Sequence, residues 1–293
     1  MRDLGKVLEF VWNHPLNRGN RIGAVVRFLQ WQVSSRLARG PTAFPFVNDT
    51  RLFARPGMSG ATGNYYCGLH EPAEMGFVLH ALRAGDLFVD VGANVGSYTV
   101  LAAGAVGARV VAVEPVPAAA EHLRHNVANN PGSERVRTVQ CGLAATAGEL
   151  AFTDTADAVN HVVAPGEAGA GIRVPVITLD ELCANEVPTL IKIDVEGFEH
   201  EVIAGGAATL RSGCLLAVLM ETNGSGARYG RRDGDLVATM RGFGFETFAY
   251  DPLRRSLRAA AAGQANTIFV RDFPAISRRI ATAPRFRLVN GEI

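Results

Sequence analysis

The stretch DVGANVGSYT, which begins at Asp90, joins a carboxylate to a glycine loop where a predicted strand gives way to a helix. Gly92 and Gly96 remove side chains where a ligand would approach the backbone, and the following helix offers free N–H groups near Ser97 and Tyr98. A carboxylate beside such a loop repels pyrophosphate and attracts a cation or an amine. These residue types therefore predict a ligand that carries positive charge.

The glycine spacing disfavours a nicotinamide or flavin dinucleotide. The dinucleotide fingerprint is G-x-G-x-x-G, and its later glycine positions, counted from Gly92, hold Asn94 and Ser97. This mismatch argues against an NAD-dependent, sugar-modifying oxidoreductase.

Glu114 closes the next predicted strand, VVAVEP. A carboxylate there can accept hydrogen bonds from two neighbouring ribose hydroxyls. A nucleoside that carries positive charge near Asp90 and lacks phosphates fits both strand ends. S-adenosylmethionine is such a ligand, because it has an ammonium group, a sulfonium group and a ribose.

Acidic and amide side chains end two later strands. Asp194 and Glu196 follow TLIKI, and Glu221 and Asn223 follow LLAVLM. Because ligands of parallel sheets bind at the carboxyl ends of the strands, we expect these residues in one site. Asp194 and Glu221 are candidate general bases for a hydroxyl acceptor. Asp194, Glu221 and Asn223 would be the oxygen ligands if a magnesium ion takes part, although their spacing is not diagnostic.

Two of these residues have a structural alternative. Asp194 would cap the helix predicted at EGFEHEVIAGG, and Glu196 would add charge to its first turn. Lys192 alternates with Ile191 and Ile193, and we expect it to be a buried strand lysine paired with a carboxylate.

Three histidines are further candidate bases. His70 lies in YYCGLHEPAE, just before the first strand of the alternating pattern. His161 lies in the irregular stretch DAVNHVV, which we expect to roof the substrate. His200 lies on a predicted helix surface and is the weakest of the three.

The elements that must position these residues alternate regularly from residue 72 onward. Short apolar strands separated by helices indicate a parallel sheet covered on both faces. RVRTVQCGL predicts the third strand, and FTDTADAVNHVVAPGEAGAGIRV predicts a mobile loop. The tail segments FETFAYDPLRRSLRA and ANTIFVR predict a closing antiparallel pair. Residues 41–70 predict irregular structure with short strands.

Composition excludes several classes of function. Lys and Arg total 29 against 28 for Asp and Glu, so no net field gathers nucleic acid or anionic lipid. The four cysteines lack the C-x-x-C spacing of a zinc or redox site, and we expect free thiols and a cytoplasmic location. No apolar run of 18 residues exists, and Pro15 and charges interrupt the N-terminus.

The N-terminus predicts two helices divided by Pro15. The second helix places six apolar residues on one face: Ile22, Val25, Val26, Leu29, Val33 and Leu37. Arginines accompany this stripe, so it could lie on a membrane surface or pack on its own domain. We expect the second arrangement and no membrane association.

Several motifs together resemble the FkbM family of S-adenosylmethionine-dependent methyltransferases. They are DVGANVGSYT at 90–99, VEP at 113–115, LIKIDVEGFE at 190–199 and VIAGG at 202–206. The resemblance covers roughly residues 64–270. It implies an α/β, Rossmann-like class I methyltransferase fold with a seven-stranded, mostly parallel sheet and a reversed last strand. It also implies methylation of hydroxyl groups on sugars and other small natural products.

The resemblance assigns a cofactor role to Asp90, Gly92, Ala93, Asn94, Gly96, Ser97, Tyr98, Glu114, Pro115 and Asp194. At the third strand end, Gln140, Cys141 and Gly142 would lie near the adenine, where many such enzymes have an acidic residue that this chain lacks. A lid element with Glu71 at its core would contact the substrate together with Glu196 and Asn223.

We therefore expect a helical extension and lid in residues 1–70, a methyltransferase domain in 71–275 and a tail in 276–293. The expected reaction is methylation of a hydroxyl on a sugar or glycosylated natural product. N-methylation of an amino sugar or amino acid stays open, as does a noncatalytic S-adenosylmethionine-binding role. The expected partner is a small acceptor rather than nucleic acid, and a homodimer is compatible with the pattern.

Overall fold

The computed structural model of the chain describes residues 4–154, 160–164, 166–167, 171–261 and 265–293. The helices in these ranges are α1 (Leu4–Asn13), α2 (Arg21–Leu37), α3 (Ser59–Cys67), α4 (Pro72–Ala81), α5 (Ser97–Val100), α6 (Pro117–Ala128), α7 (Leu179–Leu182), α8 (Glu199–Ala204), α9 (Ala207–Arg211), α10 (Asp233–Gly242) and α11 (Phe273–Ala281). A π-helical segment, Leu101–Val106, continues α5 up to Gly107.

The strands are shorter and mostly buried. They are β1 (Thr42–Pro45), β2 (Arg51–Ala54), β3 (Leu87–Val91), β4 (Arg109–Val113), β5 (Val136–Val139), β6 (Gly142–Leu143), β7 (Gly148–Phe152), β8 (Ile172–Ile177), β9 (Leu190–Ile193), β10 (Ala217–Glu221), β11 (Glu246–Asp251), β12 (Ser256–Ala259), β13 (Asn266–Val270), β14 (Arg287–Leu288) and β15 (Gly291–Glu292).

The central sheet has the strand order β12-β11-β13-β10-β9-β3-β4-β5. The five strands from β10 to β5 are parallel, and β13 runs antiparallel to both β10 and β11. The predicted α/β fold with a mostly parallel sheet and a reversed last strand is confirmed. The sheet has one strand more than the expected seven, because β12 forms an antiparallel hairpin with β11 at the edge.

Strand β3 lies at the middle of the parallel part of the sheet. Asp90 is opposite Ala112 of β4 on one side and Lys192 of β9 on the other. Residues that alternate along β3 enter two hydrophobic clusters, one containing Phe88 and the other containing Val89. This burial on both faces is why the parallel strands read as continuous apolar runs.

The third predicted strand is divided between two sheets. β5 completes the central sheet, but Gly142 pairs with Val176 of β8 in a small sheet of order β6-β8-β7. The loop expected at residues 152–174 begins with the last residue of β7 and ends within β8. Its residues 155–159, 165 and 168–170 lie outside the described ranges.

The two predicted N-terminal helices are present, but α2 faces the domain with a different stripe from the expected one. Ala24, Phe28, Trp31 and Ser35 are buried, and the Trp31 and Phe44 rings pack edge to face at 5.7 Å. Five of the six residues of the expected stripe are instead exposed, from 44% at Val26 to 79% at Leu37, and Val25 is half-buried. The two buried aromatic side chains of this face pack on rings of the domain, Trp31 on Phe44 and Phe28 on Tyr66.

Residues 41–70 are more regular than predicted. They form the β1–β2 hairpin and then α3, whose sequence SGATGNYYC has no clear helical period. Within the described ranges, no helix combines the length and the apolar character needed to span a bilayer.

Candidate active site

A cleft of about 230 Å³ opens at the carboxyl ends of β3, β9 and β10. Its lining includes Ser59, Gly60, His70, Glu71, Met75, Asp90, Gly92, Ala93, Asn94, Ser97, Tyr98, Lys192, Asp194, Glu196 and Glu221. A smaller side cavity of about 70 Å³ adjoins it and adds Glu114, Pro115, Ala119, Phe152, Asn160 and Val195. Gly92, Asn94, Asp194 and Glu196 line both spaces, so the two form one continuous region.

The glycine loop packs against the end of β9. Gly92 has a φ of +76°, and a Cβ on it would lie 1.9 Å from the Asp194 carbonyl oxygen. Gly96 has a φ of +88°, and its Cβ would lie 2.6 Å from a methyl carbon of Leu123. Both glycines are therefore required by contacts within the chain itself, and not only by a ligand approaching the backbone.

Glu114 fastens this loop from the end of β4. Its Oε2 accepts a hydrogen bond from the Asn94 backbone N–H at 2.8 Å, and its Oε1 accepts one from Val116 at 2.9 Å. Each carboxylate oxygen keeps a second lone pair for a further donor. Burial raises the pKa of Glu114 to about 7, against the effect of these two hydrogen bonds.

Asp90 is the most deeply buried acidic group of the cleft, with 1% exposure. Its Oδ2 accepts a hydrogen bond from the Thr99 hydroxyl at 2.6 Å. Its Oδ1 has no hydrogen-bond partner among the described residues. Burial raises the pKa of Asp90, while the nearby Lys192 ammonium opposes that rise. A cationic group entering the cleft would satisfy this oxygen and favour the ionised carboxylate.

Lys192 and Asp194 form the expected buried pair. The Lys192 ammonium lies 2.6 Å from Asp194 Oδ2 and 4.7 Å from the centre of the Tyr98 ring. Burial alone would lower the pKa of Lys192, but the carboxylates of Asp194 and Asp90 raise it above its ordinary value. Asp194 does not cap a helix, since α8 begins at Glu199 with Phe198 as its N-cap residue.

Glu196 and Glu221 complete an acidic group with Asp194. Carboxylate oxygens of the three residues lie within 4.8 Å of one another. Burial, followed by the charge of Asp194, raises the pKa of Glu196 to about 7 and that of Glu221 to about 9. Glu221 Oε2 is buried and has no hydrogen-bond partner within the described ranges. The cluster therefore contains a carboxylate oxygen whose hydrogen-bonding capacity is not used by the described residues.

Asn223 does not belong to this oxygen cluster in the expected way. Its Nδ2 donates a hydrogen bond to Glu221 Oε1 at 2.7 Å, and its Oδ1 accepts one from the Ser225 N–H at 2.8 Å. The conditional magnesium set of Asp194, Glu221 and Asn223 is therefore replaced by Asp194, Glu196 and Glu221. Lys192 already supplies positive charge to Asp194 at the position where a cation would bind it.

Glu71 links three elements above the cleft. Its Oε2 accepts a hydrogen bond from the Tyr98 hydroxyl at 2.6 Å, and its Oε1 accepts one from Asn266 Nδ2 at 3.1 Å. The residue thus joins the start of α4 to α5 and to the reversed strand β13. The Glu71 carboxylate therefore holds the Tyr98 hydroxyl in position.

The candidate histidines lie in different surroundings. His70 lines the cleft and also a larger neighbouring cavity of about 470 Å³ between α1, α2 and α3. His161 does not line the cleft, and its Nε2 lies 2.9 Å from Glu167 Oε1. His200 Nε2 lies 3.2 Å from the Arg232 carbonyl oxygen. The geometry therefore favours His70 among the three.

The residues at the end of the third strand, Gln140, Cys141 and Gly142, line neither the cleft nor the side cavity. Gln140 is exposed and accepts a hydrogen bond from Arg124 at 3.3 Å, while Cys141 and Gly142 are buried and lead into the small sheet. Phe152 and Asn160 line the side cavity instead. Phe152 ends β7 and Asn160 lies in the stretch that we expected to roof the substrate, but the sequence singled out neither side chain.

The strand ends that line the cleft fall within a region that matches a known protein family. The Methyltransferase FkbM domain matches residues 90–247, which is more than half of the chain. The chain belongs to the FkbM methyltransferase family. The FkbM region holds Asp90, Glu114, Asp194 and Glu221, whereas His70 and the three N-terminal helices lie before it.

Hexuronic acid methyltransferase AglP from Haloferax volcanii is 31% identical to this FkbM protein over 138 residues. That match covers 46% of the chain and 56% of the relative, so the chain spans little more than half of the relative's length. Among solved structures, precorrin-6y C5,15-methyltransferase from Geobacter metallireducens is 13% identical, with a TM-score of 0.41, over 69% of this chain and 87% of that one. The C-terminal domain of the Rhodobacter capsulatus precorrin-6Y enzyme is 17% identical, with a TM-score of 0.36, over 66% and 82%.

Proposed function

We propose that the cleft transfers the methyl group of S-adenosylmethionine to a hydroxyl group of a sugar-containing small molecule. The observation that carries the proposal is the division of the cleft into two charged sides. Asp90 and Glu114 lie beside the glycine loop at the ends of β3 and β4, and Asp194, Glu196 and Glu221 gather at the ends of β9 and β10. Both sides meet at Gly92 and Asp194, where a donor and an acceptor would be in contact.

The first side suits the methyl donor. The buried Asp90 carboxylate has an oxygen with no partner in the described ranges, which would hold the ammonium of the methionine part. Glu114 would accept hydrogen bonds from the ribose hydroxyls through its remaining lone pairs. When bound, S-adenosylmethionine supplies an electrophilic methyl group on a sulfonium. We place Ala93, Asn94, Ser97, Tyr98 and Pro115 around it because they line the same spaces.

The second side suits proton removal from the acceptor. Glu221 would take the hydroxyl proton on Oε2 while the hydroxyl oxygen bonds to the methyl carbon and the bond from that carbon to sulfur breaks, which would leave S-adenosylhomocysteine. Its raised pKa makes it a stronger base than an ordinary carboxylate once it is ionised. One oxygen of Asp194 lies 2.6 Å from the Lys192 ammonium, so the proposed role of Asp194 is to position the reactants. His70, at the border of the larger cavity, is the second candidate base.

A magnesium ion is the alternative way to activate the acceptor. Asp194, Glu196 and Glu221 have the oxygen donors that magnesium prefers. Lys192 competes for the same side of Asp194, and the proton path through Glu221 does not need a metal. Activity that is unchanged by EDTA would support the metal-free path, and recovery by magnesium after EDTA would support the alternative.

A sugar is the acceptor class that we propose to test first, since the relative from Haloferax volcanii is named a hexuronic acid methyltransferase. The neighbouring cavity of about 470 Å³ adjoins the cleft through Ser59 and His70. We propose that it accommodates the remainder of a glycosylated acceptor, with Glu71 and Glu196 contacting the sugar. Its walls are mainly apolar, with Val7, Phe10, Trp31 and Tyr66 among them.

N-methylation is retained because the three carboxylates would also attract an ammonium group. A neutral amine is already a good nucleophile, so once the ammonium has lost its proton it would need less help from Glu221 than a hydroxyl does. A noncatalytic binding role is disfavoured by the open space beside His70. We further propose that the protein is cytoplasmic, because its four cysteines are free thiols. We also propose that residues 71–275 form the catalytic unit, with residues 1–70 as the acceptor-side extension and residues 276–293 as a tail.

The deciding experiment measures release of S-adenosylhomocysteine with uronic acids, other glycosides and amino sugars as acceptors. It is run with EDTA and with added magnesium. Turnover of a hydroxyl acceptor that is lost in Glu221→Gln supports the proposal. Tight binding of S-adenosylmethionine without turnover of any member of the panel would support the binding role, and turnover of amino sugars alone would support N-methylation.

A further inference from the structure

The N-terminal helices expose an unusual share of the apolar surface. Twelve large apolar side chains are exposed in the described ranges, and nine of them lie on α1 and α2. On α2 these are Ile22, Val26, Leu29, Val33 and Leu37. On α1 they are Leu4, Leu8, Phe10 and Trp12. Monomeric proteins rarely concentrate exposed apolar side chains in this way unless the surface binds something.

The exposed stripe on α2 is opposite the face that packs on the domain. Ile22, Val26, Leu29 and Val33 follow the three- and four-residue spacing of one helix face, while Phe28 and Trp31 are buried on the other. The helix is therefore apolar on two faces, and the protein's own core uses only one. At a rise of about 1.5 Å per residue, the 17 residues of α2 extend the free stripe along about 25 Å.

The positive charge around the exposed stripe indicates what kind of partner would bind to it. The first 40 residues contain seven Lys and Arg against two Asp and Glu, whereas the remaining residues contain 22 against 26. Exposed arginines lie at both ends of α2, with Arg18 and Arg21 at its start and Arg36 and Arg39 at its end. The Arg21 guanidinium lies 5.5 Å from the centre of the exposed Trp12 ring, which joins the basic and aromatic parts of the surface.

We propose that α1 and α2 form a docking surface for an anionic lipid bilayer, with the apolar stripe in the interface and the arginines on the lipid phosphates. This combination of an apolar stripe, an aromatic side chain and flanking arginines is typical of interfacial helices. A second copy of the chain fits less well. A twofold contact would bring each basic surface against an identical one, which places like charges together.

The docking surface also borders the cavity that adjoins the cleft. Leu4 and Phe10 of α1 are exposed and line the cavity that shares Ser59 and His70 with the cleft. Docking would therefore bring the acceptor side of the protein towards the lipid. The docking proposal itself does not depend on the reaction that the cleft performs.

The test is flotation of the full chain with vesicles of phosphatidylcholine and phosphatidylglycerol in equal parts, compared with phosphatidylcholine alone. We expect flotation with the anionic vesicles, and at least about a tenfold loss of bound protein in the double variant Val26→Glu, Val33→Glu. Val187→Glu is the matched control, because Val187 is 49% exposed, between Val26 at 44% and Val33 at 62%, but lies elsewhere. High salt should weaken binding by the arginines.

Three outcomes would overturn the proposal. They are no flotation with either vesicle, equal flotation of the double variant, and equal loss in Val187→Glu. Sedimentation velocity without lipid adds a fourth, a dimer that the double variant dissociates while vesicles have no effect. Retained S-adenosylmethionine binding by the double variant confirms that it is folded and keeps this test separate from that of the proposed reaction.

Discussion

Gly92 and Asp194 are in direct backbone contact, since the Asp194 carbonyl oxygen lies only 1.9 Å from the position that a Cβ of residue 92 would take. This contact joins the glycine loop after β3 to the end of β9. It therefore sets the position of the donor side of the cleft relative to the acceptor side.

We expect Gly92→Ala to displace this loop and weaken S-adenosylmethionine binding by at least about tenfold. The positive φ costs about 1–2 kcal/mol for alanine, and the overlap with Asp194 adds to that cost. Gly85→Ala is the control, since Gly85 has a φ of +84° but open space around its Cβ. Thermal unfolding and calorimetry measure the two effects, and equal behaviour of both variants would contradict the role of the contact.

Glu114→Gln should weaken S-adenosylmethionine binding by roughly tenfold or more, or about 1.4 kcal/mol. A glutamine has only one oxygen, so it cannot accept both backbone hydrogen bonds and those of a ribose. Calorimetry with S-adenosylmethionine and S-adenosylhomocysteine measures the loss. Glu121→Gln, on the exposed side of α6, should leave the affinity unchanged.

The affinity for S-adenosylmethionine should rise with pH up to neutrality. Burial raises the pKa of Glu114 to about 7 in the folded protein, and ribose hydroxyls favour the ionised form. Ionising Glu114 therefore costs folding free energy as the pH rises from about 4.5 to about 7, and bound cofactor offsets that cost. Calorimetry across this range should give a shallower pH dependence in Glu114→Gln, and an identical slope in both proteins would exclude Glu114 as its source.

Glu221→Gln should lower kcat by about a hundredfold or more without changing the affinity for S-adenosylmethionine. The rate of the unchanged protein should rise into the alkaline range, because burial and Asp194 raise the pKa of Glu221. His161→Asn serves as a comparison, since His161 lies outside the lining of the cleft. A loss confined to His70→Asn would instead assign the base to His70.

Filling the cavity beside the cleft should weaken the binding of large acceptors selectively. Gln32→Trp would fill part of it and should raise the acceptor KM by about tenfold, with the KM for S-adenosylmethionine unchanged. Gln30→Trp places the same side chain on an exposed position of α2 outside the cavity. Equal effects of the two substitutions, measured with a glycoside acceptor, would place the acceptor elsewhere.

Much of the cleft could be predicted from strand ends alone. Parallel strands terminate at one edge of a sheet, so Asp90, Glu114, Asp194 and Glu221 had to lie near each other once the alternating pattern was recognised. The course of the chain after the third strand could not be predicted in the same way. Gln140 and Cys141 also follow a strand, but the chain then enters β6, which pairs with β8 outside the central sheet, and neither residue lines the cleft or the side cavity.

The sheet, the glycine loop and the carboxylates could be predicted from the chain alone, because they follow from local periodicity and from residue type. The neighbours of each group depend on how distant segments pack. Packing pairs Lys192 with Asp194, leaves an oxygen of Glu221 without a hydrogen-bond partner among the described residues, and buries Trp31 rather than Leu29. Periodicity identifies an apolar stripe on a helix, but α2 has two such stripes, and the competition between them is settled by packing against distant residues such as Phe44.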